Sequence, residues 1–337
     1  MSGISTKLLQ AAAGGGVVVS WIALLGGTEN DFGNAVAIDS ADNIIVTGRT
    51  TSDGAGGTDF LIAKHNSAGA LQWDRTLGGT GSDDGNAVAI DSADNIIVTG
   101  RTNSDGAGGY DVLIAKYNSA GALQWDRTLG GTGTDFGAAV AIDSDDNIIV
   151  VGYTNSDGAG GIDLLIAKYN SAGALQWDRT LGGTGGDVGN AVAIDSADNI
   201  IVVGYTNSDG AGGYDFLIAK YNSAGALQWD RTLGGTGSDI GAAVAIDSAN
   251  NIIVVGYTTS DGAGINDLLI AKLPPNGSRT GTYGSFTYEA AVLTDAPAVL
   301  TDALAVLTDA PAVLTDVVAV LTDAPAVLTE ELIDITL

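Results

Sequence analysis

Cysteine is absent from this chain of 337 residues, and it has one histidine, one methionine and five prolines. Without cysteine, no disulfide framework and no thiolate metal site can be built. That absence leaves the compartment open, because a chain this long buries a core without covalent staples. Basic side chains are scarce too: 13 Lys and Arg stand against 40 Asp and Glu, a formal charge of −27. Such a surface repels the phosphate backbone that drives nucleic-acid binding, so that class of function is excluded. Anionic membranes repel it as well. One long uncharged run exists, residues 8–27. It follows Lys7 as the apolar part of a signal peptide would, but Gly14, Gly15 and Gly16 interrupt it, and Ser20-Trp21 onward falls in register with later repeats. Neither a targeting segment nor a membrane insertion is expected.

What the chain has in excess is glycine, 50 residues, together with Ile-Val-Thr runs, a mixture that favours short strands joined by tight turns. Internal repetition orders it. Trp21, Trp73, Trp125, Trp177 and Trp229 are spaced by 52 residues. So are Lys64, Lys116, Lys168, Lys220 and Lys272 in Ile-Ala-Lys, and Asp39, Asp91, Asp143, Asp195 and Asp247 in Ala-Ile-Asp. Each unit carries four strand-like runs, which in the second are Asn86–Asp91, Asn95–Thr102, Asp111–Tyr117 and Ala122–Leu129. The phrases Asp-Ser-Ala-Asp-Asn and Asn-Ser-Ala-Gly read as turns, since Asn, Asp and Gly tolerate a left-handed backbone. Four antiparallel strands in a unit of this length mark a propeller blade. A β-solenoid has a shorter coil, and an α-solenoid needs a helical period that is missing. The fold class is therefore all-β, a five-bladed β-propeller over residues 17–277. The fifth unit stops after three strands, with Gly281 in the tryptophan slot. The N-terminal strand, Val17–Gly26, is expected to complete that blade and close the ring, which would remove two sheet edges.

Most charged residues repeat with the blades. The five lysines and Arg75, Arg127, Arg179 and Arg231 are expected to pair ionically with repeated aspartates between strands or blades. His65 occupies a slot that is Tyr117, Tyr169 and Tyr221 in other units, a packing position. Five-bladed propellers include glycosidases, which place two carboxylates in different environments. Here every carboxylate slot is duplicated, so no catalytic residue is assigned and no enzyme chemistry is expected. Asp143, Asp145 and Asn147 carry oxygens at alternate positions, as calcium loops do, but the other four units have alanine in place of Asp145. Asp-Gly-Ala-Gly-Gly-Tyr-Asp is similar to a calcium-binding nonapeptide yet recurs far too rarely to stack. Asx turns are the expected role of both; no cofactor is assigned, and calcium is the one cation these loops suit. Gly-Gly-Thr-Gly-Ser-Asp lacks the lysine and following helix of a phosphate loop.

Variation between blades is more informative. One slot reads Phe32, Asp84, Phe136, Val188, Ile240, and another Thr58, Tyr110, Ile162, Tyr214, Asn266. Both lie in or beside the long loops, which strand alternation places on one face. Asp31, Asp83, Asp135, Asp187 and Asp239 gather there with Asp53, Asp105, Asp157, Asp209 and Asp261. Binding residues collect on loops carried by a rigid scaffold, so this face is expected to hold a partner; drift at exposed positions is the plain alternative.

From Tyr283 to Leu337 there is no basic residue, and Ala-Val-Leu-Thr-Asp-Ala-x recurs every seven, with x alternating Pro297, Leu304, Pro311, Val318, Pro325 and Leu332. Repeated proline breaks a heptad coiled coil. A period-two strand regains its face only after fourteen residues, which matches the alternation; a kinked series of short helices is the alternative. So apolar a segment is expected to self-associate as a fibrous β stalk over residues 278–337, as a homotrimer.

The blade unit, with Ala-Ile-Asp…Asn, Val-x-Gly-x-Thr and Ile-Ala-Lys…Gly-x-x-x-Trp, resembles the SBBP family of β-propeller repeats over residues 20–277. The opening Ser-Thr-Lys-Leu-Leu-Gln-Ala-Ala-Ala-Gly and the Leu-Thr-Asp-Ala tail resemble virion structural proteins of tailed phages. That resemblance implies a docking peptide over residues 1–16, a display head, a fibre shaft, and as partners other virion proteins and a host surface receptor or glycan. A bacterial surface or extracellular filament subunit is the alternative, and a fibre-borne polysaccharide depolymerase a third reading.

Overall fold

The computed structural model describes residues 21–312 and 314–320, and every regular element within them is a β-strand. After β1 (Trp21–Gly26) come four sheets of the same plan. The first holds β2 (Asp31–Ile38), β3 (Ile44–Thr50), β4 (Asp59–His65) and β5 (Leu71–Gly78). The second holds β6 (Asp83–Ile90), β7 (Ile96–Thr102), β8 (Asp111–Tyr117) and β9 (Leu123–Gly130). The third holds β10 (Asp135–Ile142), β11 (Ile148–Thr154), β12 (Asp163–Tyr169) and β13 (Leu175–Gly182). The fourth holds β14 (Asp187–Ile194), β15 (Ile200–Thr206), β16 (Asp215–Tyr221) and β17 (Leu227–Gly234). A fifth sheet stops at three strands, β18 (Asp239–Ile246), β19 (Ile252–Thr258) and β20 (Asp267–Leu273). Within each, strands pair antiparallel with their chain neighbours in a propeller-like arrangement. No helix of the described residues is long and apolar enough to cross a membrane.

Local chemistry explains the repeat. In the middle sheets the second and third strands are buried at nearly every position because both faces are covered. Ile200 and Val202 join the core toward the preceding sheet, while Ile201 and Val203 join the core toward the next. The first strand begins three residues earlier than the pattern indicates, because it runs through a bulge after Gly33, Gly85, Gly137, Gly189 and Gly241. The bulge forces a close approach: a Cβ on Gly48 would sit 1.8 Å from the Phe32 carbonyl oxygen, so only glycine fits opposite it. In the expected turns, Asp42, Asp94, Asp146, Asp198 and Asn250 have φ between 57° and 61°, the left-handed conformation their side chains tolerate. The turns also bridge sheets, for Asp94 accepts hydrogen bonds from the Ser40 amide at 2.9 Å and its hydroxyl at 2.6 Å.

Two expectations fail here. β1 does not pair with β20 and does not close a ring. Instead it lies beside the first sheet, where Trp21 stacks on His65 at 6.0 Å and donates to the Ser67 carbonyl at 3.1 Å. Its strand partner is β26 (Thr315–Val320), with Trp21 opposite Val320. Among the described residues, no strand pairs with the outer edge of β20. Residues 17–20 and the N-terminal segment 1–16 lie outside the described residues.

The tail, as far as residue 320, is β-structure but not a separate stalk. After β21 (Gly281–Tyr283), it lays one strand along the outer edge of each four-stranded sheet, from the fourth to the first. β22 (Phe286–Ala290) pairs with β17, β23 (Thr294–Pro297) with β13, β24 (Thr301–Leu304) with β9, β25 (Thr308–Ala310) with β5, and β26 with β1. Seven residues of tail thus correspond to fifty-two of the blades: Thr294, Thr301, Thr308 and Thr315 face Gly182, Gly130, Gly78 and Gly26. Each slot of the phrase has a task. Asp295, Asp302 and Asp309 accept the hydroxyls of Tyr221, Tyr169 and Tyr117 at 3.0–3.1 Å. Leu293, Leu300 and Leu307 pack into successive cores, while the intervening valines face outward. Every phrase restarts the strand phase at a new sheet, so the fourteen-residue face argument does not apply. Proline is tolerated because these are edge strands. The last tail repeats, beyond residue 320, lie outside the described residues.

Candidate binding face

The repeated charges are spent on structure. Lys116 and Lys168 reach Asp91 and Asp143 at 2.8 and 2.7 Å, and their ammonium groups also donate to Ser171 and Ser223 carbonyls of the following sheet. Burial works against the charged form of Asp143, but Lys168 and Asn147 outweigh it and hold the carboxyl below its usual range. The Asp143 turn is therefore filled by an ammonium and an amide, and Asp145 is exposed, giving its backbone N–H to Asp143. No group of three or more His, Cys, Asp or Glu arranged for a metal occurs among the described residues. The arginines depart from expectation: Arg75 and Arg231 donate to the Gly121 and Gly277 carbonyls, and Arg179 pairs with Asp295 of the tail.

The aspartates of the long-loop face are likewise engaged. Asp83, Asp135, Asp187 and Asp239 are fully buried at the starts of first strands. Asp83 accepts the Gly79 amide and the Ser104 hydroxyl at 2.9 and 2.7 Å, stitching the loop closed. Asp105, Asp157 and Asp209 accept the amides of Val306, Val299 and Val292 and so hold the tail. Asp59, Asp111 and Asp163 are pushed up to about 6 and Asp215 to about 7 by burial and by the neighbouring carboxylates of Asp83, Asp135, Asp187 and Asp239. Four junctions repeat this environment, so it does not separate an acid from a base.

The two variable slots do converge. Cross-strand register sets Phe32 opposite Arg49, Asp84 opposite Arg101, Phe136 opposite Tyr153, Val188 opposite Tyr205 and Ile240 opposite Tyr257. The pairs of the first three sheets then interdigitate into one ladder. Arg49 lies 4.7 Å over Phe32 and binds Asp84 at 3.2 Å. Arg101 binds Asp84 at 2.7 Å and lies over both Tyr110 and Phe136, at 4.3 and 5.6 Å. Phe136 stacks on Tyr153 at 5.2 Å, and Tyr205 meets Tyr214 edge-on at 5.0 Å. Asp84 and Val188 are buried, Thr58 and Ile162 half-buried, and Phe32, Tyr214 and Asn266 exposed. Thr58 and Ile162 each bridge to the next loop through Ser82 and Gly186. The arginine and tyrosine slot at residues 49, 101, 153, 205 and 257 was missed from sequence. Its signal was the switch from Arg-Thr to Tyr-Thr after the strand glycine.

The ladder offers aromatic faces and guanidinium groups in a line across the sheets, a surface for stacking against planar or ring-shaped groups and for hydrogen bonding.

The SBBP β-propeller repeat model matches residues 20–54, and a β-propeller domain of unknown function (DUF5122) matches residues 197–227 and 250–279. The chain is similar to an uncharacterized WD repeat-containing protein of Acanthamoeba polyphaga mimivirus, 25% identical over 260 residues, which covers 56% of this chain and 19% of that protein. It is similar to the regulatory protein FlaEY of Caulobacter vibrioides, 30% identical over 152 residues, covering 38% and 16%. It thus spans less than a fifth of either relative. Among solved structures, an exo-β-1,3-galactanase from Clostridium thermocellum aligns over 80% of this chain and 65% of its own, with TM-score 0.39 and 10% identity. A likeness that small says nothing of activity.

Proposed function

Because its blade units match β-propeller repeat models, we propose that this chain is a non-enzymatic structural protein that displays a binding face. The finer reading is a virion appendage, a tail or capsid fibre component that attaches to a host surface receptor or glycan. One observation carries the proposal. Phe32, Asp84, Tyr110 and Phe136, which differ between near-identical blades, come together in an aromatic and arginine ladder across three sheets, while the aspartates around it are committed to loops and tail. Repeated, equivalent carboxylates also supply no differentiated pair for general acid and base work.

Alanine at Tyr110, Phe136 and Tyr214 together tests it, read as attachment of the purified chain to host cells or a glycan array. Attachment should fall at least about tenfold, the loss of three aromatic contacts worth about 0.5–1.5 kcal/mol each. Unchanged attachment removes the display role from this face. An extracellular or cell-surface filament subunit is the second reading, favoured by the open ends of the sheet array. Immunogold labelling of virions and of cell-derived filaments separates the two locations, and polysaccharide clearing by the purified chain would instead support a depolymerase.

A further inference from the structure

The array ends in two unfinished pieces that match each other. At one end, β18, β19 and β20 form the inner three strands of a blade that has no fourth strand among the described residues. Leu268 and Ile270 on its outer face are 74% and 60% exposed, although the same slots, Phe216 and Ile218, are fully buried one sheet earlier. At the other end, β1 and β26 form an outer pair with no inner strands among the described residues. Val36 and Ile38 beside it are each 63% exposed, where the equivalent Val88 and Ile90 pack against the preceding sheet. A groove of about 340 Å³ runs along the free edge of β20, lined by Leu233, Leu269, Leu273, Phe286 and Tyr288, at the place a fourth strand takes in every complete blade.

We propose that these ends mate between molecules, so that β1 and β26 of a second copy of this chain become the fourth and fifth strands of the incomplete blade. The occupant is specified by the chain itself, because it makes the same junction four times internally. There, a fourth strand pairs with the third in fixed register: Lys220 opposite Trp229, Ile218 opposite Arg231, Phe216 opposite Leu233. Transferred by one repeat, Lys272 falls opposite Trp21 of the second copy, Ile270 opposite Ala23, and Leu268 opposite Leu25. The second copy's Val36 and Ile38 then cover the exposed face of the last sheet. Polar partners carry over too. Lys220 donates to Asp195 and to a carbonyl of the following sheet, Pro275, at 2.7 and 3.2 Å. Lys272 has its aspartate, Asp247, at 2.6 Å but is still 61% exposed, and it lacks only the following sheet that the Ser67 carbonyl of the second copy would supply. The contact joins two different surfaces, so each joined copy presents a new free end and the assembly grows head to tail. The tail strap holds β1 at the first sheet, which keeps it available to another molecule.

The experiment uses the full chain in two blocked forms. One carries Leu268→Asp and Ile270→Asp, the other Val36→Asp and Ile38→Asp; all four positions are exposed, so folding is spared. Wild type should show mass rising with concentration in sedimentation or light scattering. Each blocked form alone should stay at monomer mass, and an equimolar mixture should give a dimer and nothing larger, because each variant retains one competent end. A wild type that is monomeric at every concentration, or blocked forms that still polymerise, overturns the proposal. A second readout separates it from ring closure within one chain. A chain carrying Leu24→Cys and Leu269→Cys, positions the register sets opposite each other, should crosslink into a ladder of multimers on oxidation. Crosslinking confined to a monomer band would mean that the chain seals itself, and the intermolecular junction would be wrong.

Discussion

The middle junctions and the two ends are built from the same sequence and behave differently. Ile218 lies in a sealed core and Ile270, one repeat later, is mostly in water. Lys220 is buried with Asp195, whereas Lys272 holds the equivalent Asp247 in solvent. Asp239 is fully buried at the last junction, whereas Asp31, the same slot at the free end, is half-buried. The lesson is that a repeat supplies half an interface. Its energetic value depends on whether another sheet stands against it, which is why repeat arrays need distinct terminal units.

The sharpest break of this comparison is the buried ion pair. Lys168→Met strands Asp143 in the core and should cost about 3–5 kcal/mol, the usual penalty for an uncompensated buried charge. Lys272→Met should leave the denaturation midpoint of the monomer where it was. Urea titration followed by tryptophan fluorescence reads both, and equal losses would erase the distinction between middle and end. Next in size, Ile218→Ala should destabilise by about 2–5 kcal/mol through lost burial and a cavity, against about 0.5 kcal/mol or less for Ile270→Ala.

A third contrast is in pH. Asp59, Asp111, Asp163 and Asp215 keep their protons to about 6 or 7 in the folded chain, against an ordinary value of 3.8. Between those limits the folded state binds more protons than the unfolded one, so stability falls as pH rises from about 4 to 7. Asp39 has the opposite sign: burial disfavours its charge, yet Lys64 and Asn43 bring it down to about 2, and its contribution is lost as pH falls from about 4 to 2. Melting temperature should therefore be higher at about pH 4.5 than at about pH 8. Asp215→Asn should flatten that slope, and a slope indifferent to the substitution would remove the junction carboxylates as its cause.

Much of this was legible in advance where the controlling contacts lie within one unit. Asp39 and Asn43 are four residues apart and make their turn wherever the phrase occurs, and the alternating burial of Ile200 and Ile201 follows from two covered faces. The binding ladder was half legible. Phe136 and Tyr110 stood out by varying, but Arg101, which joins them, is brought between by a cross-strand register that the bulge at Gly85 sets. The tail was least legible, because a seven-residue period looks like a property of the tail alone. Its cause is external, the spacing of Tyr117, Tyr169 and Tyr221 across neighbouring sheets.

The sequence by itself determined the blade: its four strands, its left-handed Asp and Gly turns, and the lysine and aspartate slots that lock it. Only the tertiary structure decided that five such sheets leave both ends open among the described residues, and that the tail runs back across four of them. The physical reason is range. Strand and turn preferences act over a few residues, whereas closure depends on rotations between sheets that accumulate along the array and on which edge a distant strand reaches.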